Sequence, residues 1–438
     1  MDKNEIIQIL HDWNFWTQQP KTGLKRGFYL DRLNALSSSA FASSITGPRR
    51  AGKSIIMRQF ARHLIEEGVE ARNVLHVNFE DSRFTGSGVA FLEEIFRAYE
   101  EFLAPTALPT IFLDEIQEID GWEKWVRTML ELGKARILVS GSNAGLLSQE
   151  LGTLLTGRHL DVTVFPLSFG EFLEFNRAPS SPLEAAGTGQ VTAIKGLLRK
   201  YLEWGAYPEV VLSEPKKEIL LSYFEDVLQK DLIRRFKIRK PQELRALAKF
   251  YFSSVASPVT YQSAGRALDL SMTAVQRYSG YLEQVYLVFL LKRFSWKAKE
   301  QEKSPRKAYA VDTGLCNAVG FRFTENLGRL AENLVFLALK RRQAVNPEQE
   351  IYYWKDQDQS EVDFVIKEGL KVSQLLQVCW NVRDEKTRTR DTRSLWRAMR
   401  EFDLASATIV TEETTAEETE EGRTIRFVPL AQWLLGAG

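Results

Sequence analysis

Apolar residues along this chain follow two periods. Short apolar runs at 73–79, 110–113, 136–139 and 160–165 read as strands. Between them the spacing turns helical, as in Ile55-Ile56-Met57-Arg58-Gln59-Phe60-Ala61-Arg62-His63-Leu64. Strands that alternate with helices predict an α/β fold with a parallel sheet. Ala42-Ser43-Ser44-Ile45-Thr46 is a further strand, polar for its place. Residues 1–40 read as a helical extension that carries Trp13, Phe15 and Trp16. The polar, glycine-bearing stretch 80–88 reads as a mobile loop at the sheet edge.

A turn-rich break runs from Arg177-Ala178-Pro179-Ser180-Ser181-Pro182 to Gly187-Thr188-Gly189. Helical spacing resumes at 193–204 and 216–236 and predicts a small helical lid. Three more helices follow at 242–255, 260–268 and 272–285, with Asp269-Leu270-Ser271 as the turn and Ser271 as a cap. That order predicts a winged helix-turn-helix, whose exposed Thr273, Gln276 and Arg277 would face a groove. A compact helical bundle for protein contact is the competing reading. From about Ala308 the chain reads as a separate α/β unit. It has a helix at 328–342, strands at 350–354, 361–366, 375–379 and 425–428, an acidic low-complexity loop at 411–422 and a short final helix. The domain boundaries are therefore drawn at 1–40, 41–175, 176–240, 241–307 and 308–438.

Length and charge narrow the picture. A chain of 438 residues exceeds one core and suggests two or three domains. A net charge of +1 gives no global field to recruit nucleic acid, so any basic surface must be local. Lys292, Arg293, Lys297, Lys299, Lys303, Arg306 and Lys307 form one such margin, diluted by Glu300 and Glu302. Lys230, Arg234, Arg235, Lys237, Arg239 and Lys240 form another around Asp231. Cys316 and Cys379 give no disulfide framework, and with only 4 histidines there is no zinc-ligand spacing. The sequence shows neither a leader nor an uncharged apolar run of about 18 residues. The expectation is a cytoplasmic protein with no membrane partner.

The chemistry is concentrated in Gly47-Pro48-Arg49-Arg50-Ala51-Gly52-Lys53-Ser54, which matches the phosphate-binding loop G-x-x-x-x-G-K-[ST] and leads into Ile55 and a helix. Its glycines let backbone N–H groups face one anion. Lys53 would reach the β- and γ-phosphates of ATP, and Ser54 would hold Mg²⁺. The positive end of the following helix adds to the site. Thr110-Ile111-Phe112-Leu113-Asp114-Glu115 then delivers two carboxylates at the end of a buried strand. Asp114 would hold Mg²⁺, and Glu115 would orient and deprotonate the attacking water. After the strand Ala135-Arg136-Ile137-Leu138-Val139-Ser140, Asn143 or Ser142 would hold the lytic water or sense the γ-phosphate. Arg158 is either an arginine finger for a neighbour's nucleotide or an ordinary surface arginine. Trp13, Phe15 and Trp16 would pack on this ATPase or on the adenine.

In order, GPRRAGKS, TIFLDEIQ, SGSNA, LLTGR with VFPLSFGEFL, WGAYPEVV, QKDLIRR, KAYAVDTGL, GRLAENLVF, SEVDFVI and LLQVCWNV resemble the AAA-type ATPases of bacteria and archaea that end in a nuclease-like domain of unassigned function. The likeness covers about residues 20–435. It implies an AAA-type P-loop sheet domain, a winged-helix middle domain and a C-terminal α/β domain of restriction-endonuclease, PD-(D/E)xK-like, build. A homo-oligomer, with a hexamer among its forms, is expected if Arg158 acts in trans. Carried onto this chain, Lys53 and Ser54 bind phosphate and Mg²⁺, Asp114 and Glu115 serve metal and water, Asn143 is the sensor and Arg158 the finger. In the last domain Glu332, Glu361 and Asp363 supply carboxylates. Gln377 stands where a second strand acid is expected and Cys379 where a lysine is expected. A lysine from elsewhere, Lys355 or Lys371, would have to take that place. The leading expectation is a Mg²⁺-dependent ATPase that remodels or translocates on DNA, including branched DNA, with a degenerate nuclease-like domain used for binding. An ATP-gated nuclease and a signalling ATPase with a protein partner are the alternatives.

Overall fold

Five strands, β1 Ala42–Thr46, β2 Val74–Asn78, β3 Thr110–Asp114, β4 Arg136–Ser140 and β5 His159–Thr163, pair in the order β2-β3-β4-β1-β5 with every pairing parallel. They belong to a computed structural model that describes residues 1–37, 39, 41–141, 159–180, 188–321 and 326–436. The chain divides into two compact units, Met1–Val164 and Phe165–Gly438. Helices α1 Lys3–Trp13, α2 Gly27–Ser37, α3 Lys53–Glu66, α4 Gly88–Leu103 and α5 Trp122–Glu131 cover the sheet of the first unit. Alternate strand residues serve opposite faces. Ile111 and Leu113 of β3 join the core under α1, α4 and α5, whereas Phe112 joins the core under α2 and α3. Burial on both faces explains why these strands read as continuous apolar runs. β1 is the polar exception, and it too is buried at all five positions.

The N-terminal extension closes one edge of this sheet. Asn14 is buried, donates to the carbonyls of Leu10 (2.7 Å) and His76 (2.9 Å), and accepts from the His76 N–H at 2.7 Å. Its amide thus stands in for the strand that β2 lacks on that side. Trp16 donates to the Val74 carbonyl at 3.0 Å, and Trp13 donates to Asp81 at 2.8 Å while its ring stacks on His76. The tryptophans therefore pack on the ATPase sheet, the first of the two roles expected of them.

The second unit holds two sheets. β6 Ser257–Val259, β7 Val288–Leu291 and β8 Arg306–Ala310 pair antiparallel in the order β6-β8-β7. Helices Pro241–Ser253, Tyr261–Leu268 and Met272–Gln284 pack beside them. Ser271 caps the third of these helices by accepting from Ala274 N–H at 3.2 Å, and Thr260 makes a capping box with Ser263. Thr273, Gln276 and Arg277 are exposed on it. The larger sheet comprises β9 Gln349–Lys355, β10 Glu361–Glu368, β11 Lys371–Cys379, β12 Ser406–Thr411, β13 Ala416–Glu420 and β14 Arg423–Pro429, ordered β13-β14-β12-β11-β10-β9. Helix Leu327–Val345 covers one face and helix Glu385–Glu401 the other. The helices expected at 193–204 and 216–236 lie in this unit as Thr188–Trp204 and Lys216–Asp226, the latter running on into a π-helical turn at Val227–Arg234.

Two expectations need correction. The acidic stretch 411–422 is not a loop throughout, because β13 pairs with β14 as a hairpin. Its glutamates have partners: Glu417 with Arg426, Glu418 with Arg388 and Glu420 with Arg400. Composition alone hid a strand whose charges are answered across the ladder and from the helix above it. The basic margin after β7 is also not a free wing at its start. Phe294 N–H donates to the Tyr353 carbonyl at 2.6 Å, and Tyr353 N–H donates to the Lys292 carbonyl at 3.1 Å, which ties residues 292–294 to β9.

Two motifs of the sequence meet at Asp312. Its buried carboxylate accepts from Ala206 N–H at 2.6 Å and from Leu315 N–H at 3.2 Å, which caps helix Thr313–Val319 and fixes the turn after Trp204. Gly205 there has φ +74°, and a Cβ on it would stand 2.0 Å from the Asp312 carboxylate, so only glycine fits. Burial pushes the Asp312 carboxyl up to about 6.

Replacing Asn14 by alanine leaves the His76 N–H and carbonyl buried without partners. The expected cost is about 1–3 kcal/mol, read from urea unfolding, with faster hydrogen exchange along β2. Stability and exchange equal to wild type would show that the edge is closed by α1 packing alone.

Candidate functional site

Parallel pairing puts the C-terminal ends of β1, β3 and β4 at one edge of the first sheet. The loop 47–52 leaves β1 there and turns directly into α3, whose N-cap Gly52 has φ +101°. Gly47 has φ +134°, and a Cβ on it would lie 2.1 Å from the Val164 carbonyl oxygen. The loop is thus wedged against the chain leaving β5, a fit that excludes any side chain at Gly47. Lys53 is buried, and its ammonium donates to the Gly47 and Pro48 carbonyls, each at 3.1 Å, which holds it folded over the loop. From the extension, buried Arg26 donates to the Ala51 carbonyl at 2.8 Å. Gln59 of α3 donates to the Thr22 and Leu24 carbonyls, each at 2.7 Å. Arg49 pairs with Glu80 at 3.1 Å, joining the loop to the stretch after β2. Arg50 takes φ +70° in the same turn, and Pro48 accepts from Ala51 N–H.

Asp114 ends β3 and is buried; Ser54 and Ser140 both hydrogen-bond its carboxylate. Burial pushes this carboxyl up, and the serine contacts and the charges of Lys53 and Arg58 oppose the shift. Glu115 follows in a left-handed backbone, φ 55°, which costs a non-glycine residue about 1–2 kcal/mol and turns its side chain away from the strand direction. Its N–H donates to Ser140 Oγ at 3.0 Å, and Gln117 holds its carboxylate. Burial pushes Glu115 up as well, opposed by Lys53. The loop, Lys53, Ser54, Asp114 and Glu115 therefore share one edge, as their order predicts.

Sequence reasoning missed three residues here. Ser140 bridges Asp114 and the Glu115 backbone; a polar residue closing the buried strand β4 was its only signal. Arg58, one helical turn after Ser54, feels the Asp114 charge and lies 6.0 Å from the Trp13 ring. Arg26 has no sequence signal, because its role depends on how the extension folds back. Asn143, Ser142 and Arg158 lie outside the described residues.

A hydroxyl and a carboxylate facing each other beside an ammonium suit a hard divalent cation carried with a phosphate. Loop N–H groups at the start of α3 suit the phosphate itself. ATP with Mg²⁺ fits the residues present.

The second unit brings Glu332, Glu361, Asp363 and Gln377 together, but around a residue that the sequence pattern places elsewhere. Lys307 of β8 is not part of a solvated basic margin. It is buried, and its ammonium lies 2.7 Å from Asp363, 2.8 Å from Glu361 and 3.1 Å from Glu332. Tyr309 donates to Glu332 at 2.7 Å, Gln377 accepts from Asp363 N–H at 3.0 Å, and Asp363 accepts from Val378 N–H at 2.9 Å. Burial alone would lower Lys307, yet the three carboxylates outweigh it and hold the ammonium charged. Burial, then the charge of Asp363, raises Glu332 to about 7, while Lys307 and Lys355 hold Glu361 below its usual range. Of the two lysines expected to migrate into this centre, Lys355 reaches only Glu361, at 3.5 Å, and Lys371 is exposed at the start of β11. Cys379 is buried with its thiol pushed up to about 12 by burial and by Asp391, so it replaces no ammonium. Position 307 precedes the C-terminal sheet and faces it only through the pairing of β8, which explains why sequence pattern misplaced it.

Three family profiles match this chain in succession. An AAA-domain profile matches residues 40–173, and two domains of unknown function, DUF8612 and DUF4143, match residues 195–327 and 327–433. An uncharacterized protein of Methanocaldococcus jannaschii is 30% identical over 407 residues, covering 89% of this chain and 87% of its own length. One from Haemophilus influenzae is 30% identical over 331 residues, covering 74% and 80%. Among solved structures, PCH-2 of C. elegans overlaps 59% of this chain and 66% of its own at 13% identity with a TM-score of 0.26, an overlap that adds nothing to the fold read from the sheets themselves.

Removing the Lys307 ammonium strands the buried carboxylates of Glu332 and Asp363 and leaves half-buried Glu361 with Lys355 alone. Lys307→Met is expected to cost about 3–5 kcal/mol in urea unfolding, and adding Glu332→Gln should recover part of that loss. A Lys307→Met protein as stable as wild type would show that the carboxylates are neutralised without it.

Proposed function

This chain belongs to the family of AAA-domain proteins represented by its Methanocaldococcus jannaschii relative, and on that premise we propose that it is a Mg²⁺-dependent ATP hydrolase acting on DNA. The observation that carries the ATPase reading is the gathering of Lys53, Ser54, Asp114 and Glu115 at one sheet edge, with Ser140 holding the Asp114 carboxylate and the Glu115 backbone N–H. Mg²⁺, when bound, neutralises charge on the phosphates. Loop N–H groups and Lys53 would bind and orient the triphosphate, and Ser54 and Asp114 would hold the metal. Glu115 accepts a proton from the attacking water at its carboxylate, and its raised proton affinity in this buried setting favours that transfer. Asn143 is proposed as sensor and Arg158 as a finger reaching a neighbouring copy, which makes a homo-oligomer, such as a hexamer, the working form.

The DNA reading is supported by the helices and three-stranded sheet of 241–310, whose order resembles a winged helix, and by exposed Thr273, Gln276 and Arg277 on its third helix. Trp296, 65% exposed and braced edge-on by Phe294, is followed in the chain by Lys297, which pairs with Glu300, and by Lys299 and Lys303. A flat ring among cations suits bases and phosphates. The six-stranded sheet, proposed as PD-(D/E)xK-like, would serve binding: the ammonium of Lys307 already occupies the space among the carboxylates. Among the described residues no helix is long and apolar enough to cross a membrane.

ATP turnover with and without single-stranded, duplex and four-way DNA tests this reading. Lys53→Ala should abolish nucleotide binding, and Glu115→Gln should keep ATP bound while turnover stops. Full turnover in both variants sinks the site. One observation favours a second reading, an ATP-gated nuclease: Lys307 restores a lysine beside Asp363 and Glu332. The expected result is no cutting of supercoiled, single-stranded or branched DNA with Mg²⁺ or Mn²⁺. Cutting that vanishes in folded Asp363→Ala protein would put the nuclease first.

A further inference from the structure

Helix Glu385–Glu401 carries a row of cations of two kinds. Arg388, Arg397 and Arg400 are each answered by a carboxylate, on Glu418, on Asp356 and Asp358, and on Glu420. Lys386, Arg390 and Arg393 follow at helical spacing on another stripe, and all three are exposed. Among the described residues Lys386 and Arg393 have no ion pair. These three cations, with Thr389, line a cavity of about 660 Å³ whose opposite wall is Asp358, Gln359 and Ser360. That wall runs straight into Glu361 of the acidic centre. Glu385 lines the cavity too; Asp358 is held by Arg397 at 2.6 Å and Arg390 is answered by Asp391, so Lys386 and Arg393 against Glu385 still leave the surplus positive.

Arg390 shows how the cavity is built. Its side chain is 70% exposed, yet Asp391, whose side chain is only 3% exposed, accepts from it at 2.9 and 3.0 Å. Burying a carboxylate under a solvent-exposed arginine costs desolvation energy that a surface pair does not return. What the arrangement does achieve is to fix the guanidinium in one place, as an outer partner fixes a ligand-binding group. A cation held in that way, flanked by two uncommitted ones and a hydroxyl, matches consecutive phosphates.

We infer that this cavity binds the sugar-phosphate backbone of a single nucleic-acid strand, with Lys386, Arg390 and Arg393 on the phosphates and Thr389 donating to them. The strand would be led along the wall toward the Lys307 centre and held there uncut. The inference rests on the nucleic-acid reading above.

The test uses full-length protein and a fluorescein-labelled single-stranded oligonucleotide, with binding followed by anisotropy over a salt series. Lys386→Glu/Arg393→Glu should weaken binding at least tenfold near 0.1 M salt. It should also flatten the slope of log K against log salt by about 1.4, at about 0.7 for each phosphate no longer neutralised. Lys386→Gln/Arg393→Gln should move both readouts in the same direction by less. ATP turnover without DNA should be unchanged in both variants, which reports that they fold. Wild-type affinity and slope in the charge-reversed protein would overturn the cavity while leaving DNA binding intact. Failure of wild-type protein to bind the strand in a salt-dependent manner would instead sink the nucleic-acid reading, and the inference with it. Labelled ADP bound by Lys53→Ala protein and released when Lys386→Glu/Arg393→Glu is added, with strand binding unmoved, would assign the cavity to free nucleotide and overturn the strand.

Discussion

The parallel register of β1, β3 and β4 is the constraint from which the nucleotide site follows. Each strand ends at the same edge, so the loop after Thr46, the carboxylate of Asp114 and the hydroxyl of Ser140 arrive together without any long-range fitting. Burial then sets their electrostatics. Asp114 and Glu115 are both drawn toward their neutral forms, and the serines and Lys53 hold them against that pull. The extension completes the edge. Arg26 and Gln59 fasten residues 22–26 to the loop and to α3, and Asn14 finishes β2 where the sheet would otherwise stop.

The second unit is organised around a different contact, one ammonium among three carboxylates. Lys307 comes from the three-stranded sheet, Glu332 from helix Leu327–Val345, and Glu361 and Asp363 from β10. The centre therefore fastens the middle module to the six-stranded sheet. Tyr309, two residues along β8, repeats the connection by stacking on Phe336 at 4.1 Å while its hydroxyl serves Glu332. A charge bond this deep stabilises little by itself but is costly to break from one side, so it fixes which surfaces meet.

Much of the first unit was legible in sequence because its signals are local. The glycine-rich loop, the apolar strand ending in Asp114-Glu115 and the helical period of 55–64 each depend on neighbours along the chain. Asp114 and Lys53 could be placed on one edge from strand order alone. Ser140 could not, because nothing in a hydroxyl that closes an apolar strand marks it as a partner of Asp114. The helix cap at Ser271 was readable for the same local reason. Lys307 was not: among six other cations in its stretch it carries no mark, and its burial depends on carboxylates up to 56 residues away. The strand β13 was hidden because glutamate-rich composition signals solvent, and its answering arginines lie in β14 and in a distant helix.

That outer strand has a consequence for how copies of this chain can meet. β13 is the last strand on its side of the six-stranded sheet, and Glu417, Glu418 and Glu420 run along it. Two such rims brought side by side would set like charges against each other at strand spacing and pull Arg388, Arg400 and Arg426 away from the glutamates they now serve. The sheet therefore refuses growth by strand addition at that end. Any contact between copies of this chain must therefore use surfaces other than the β13 rim.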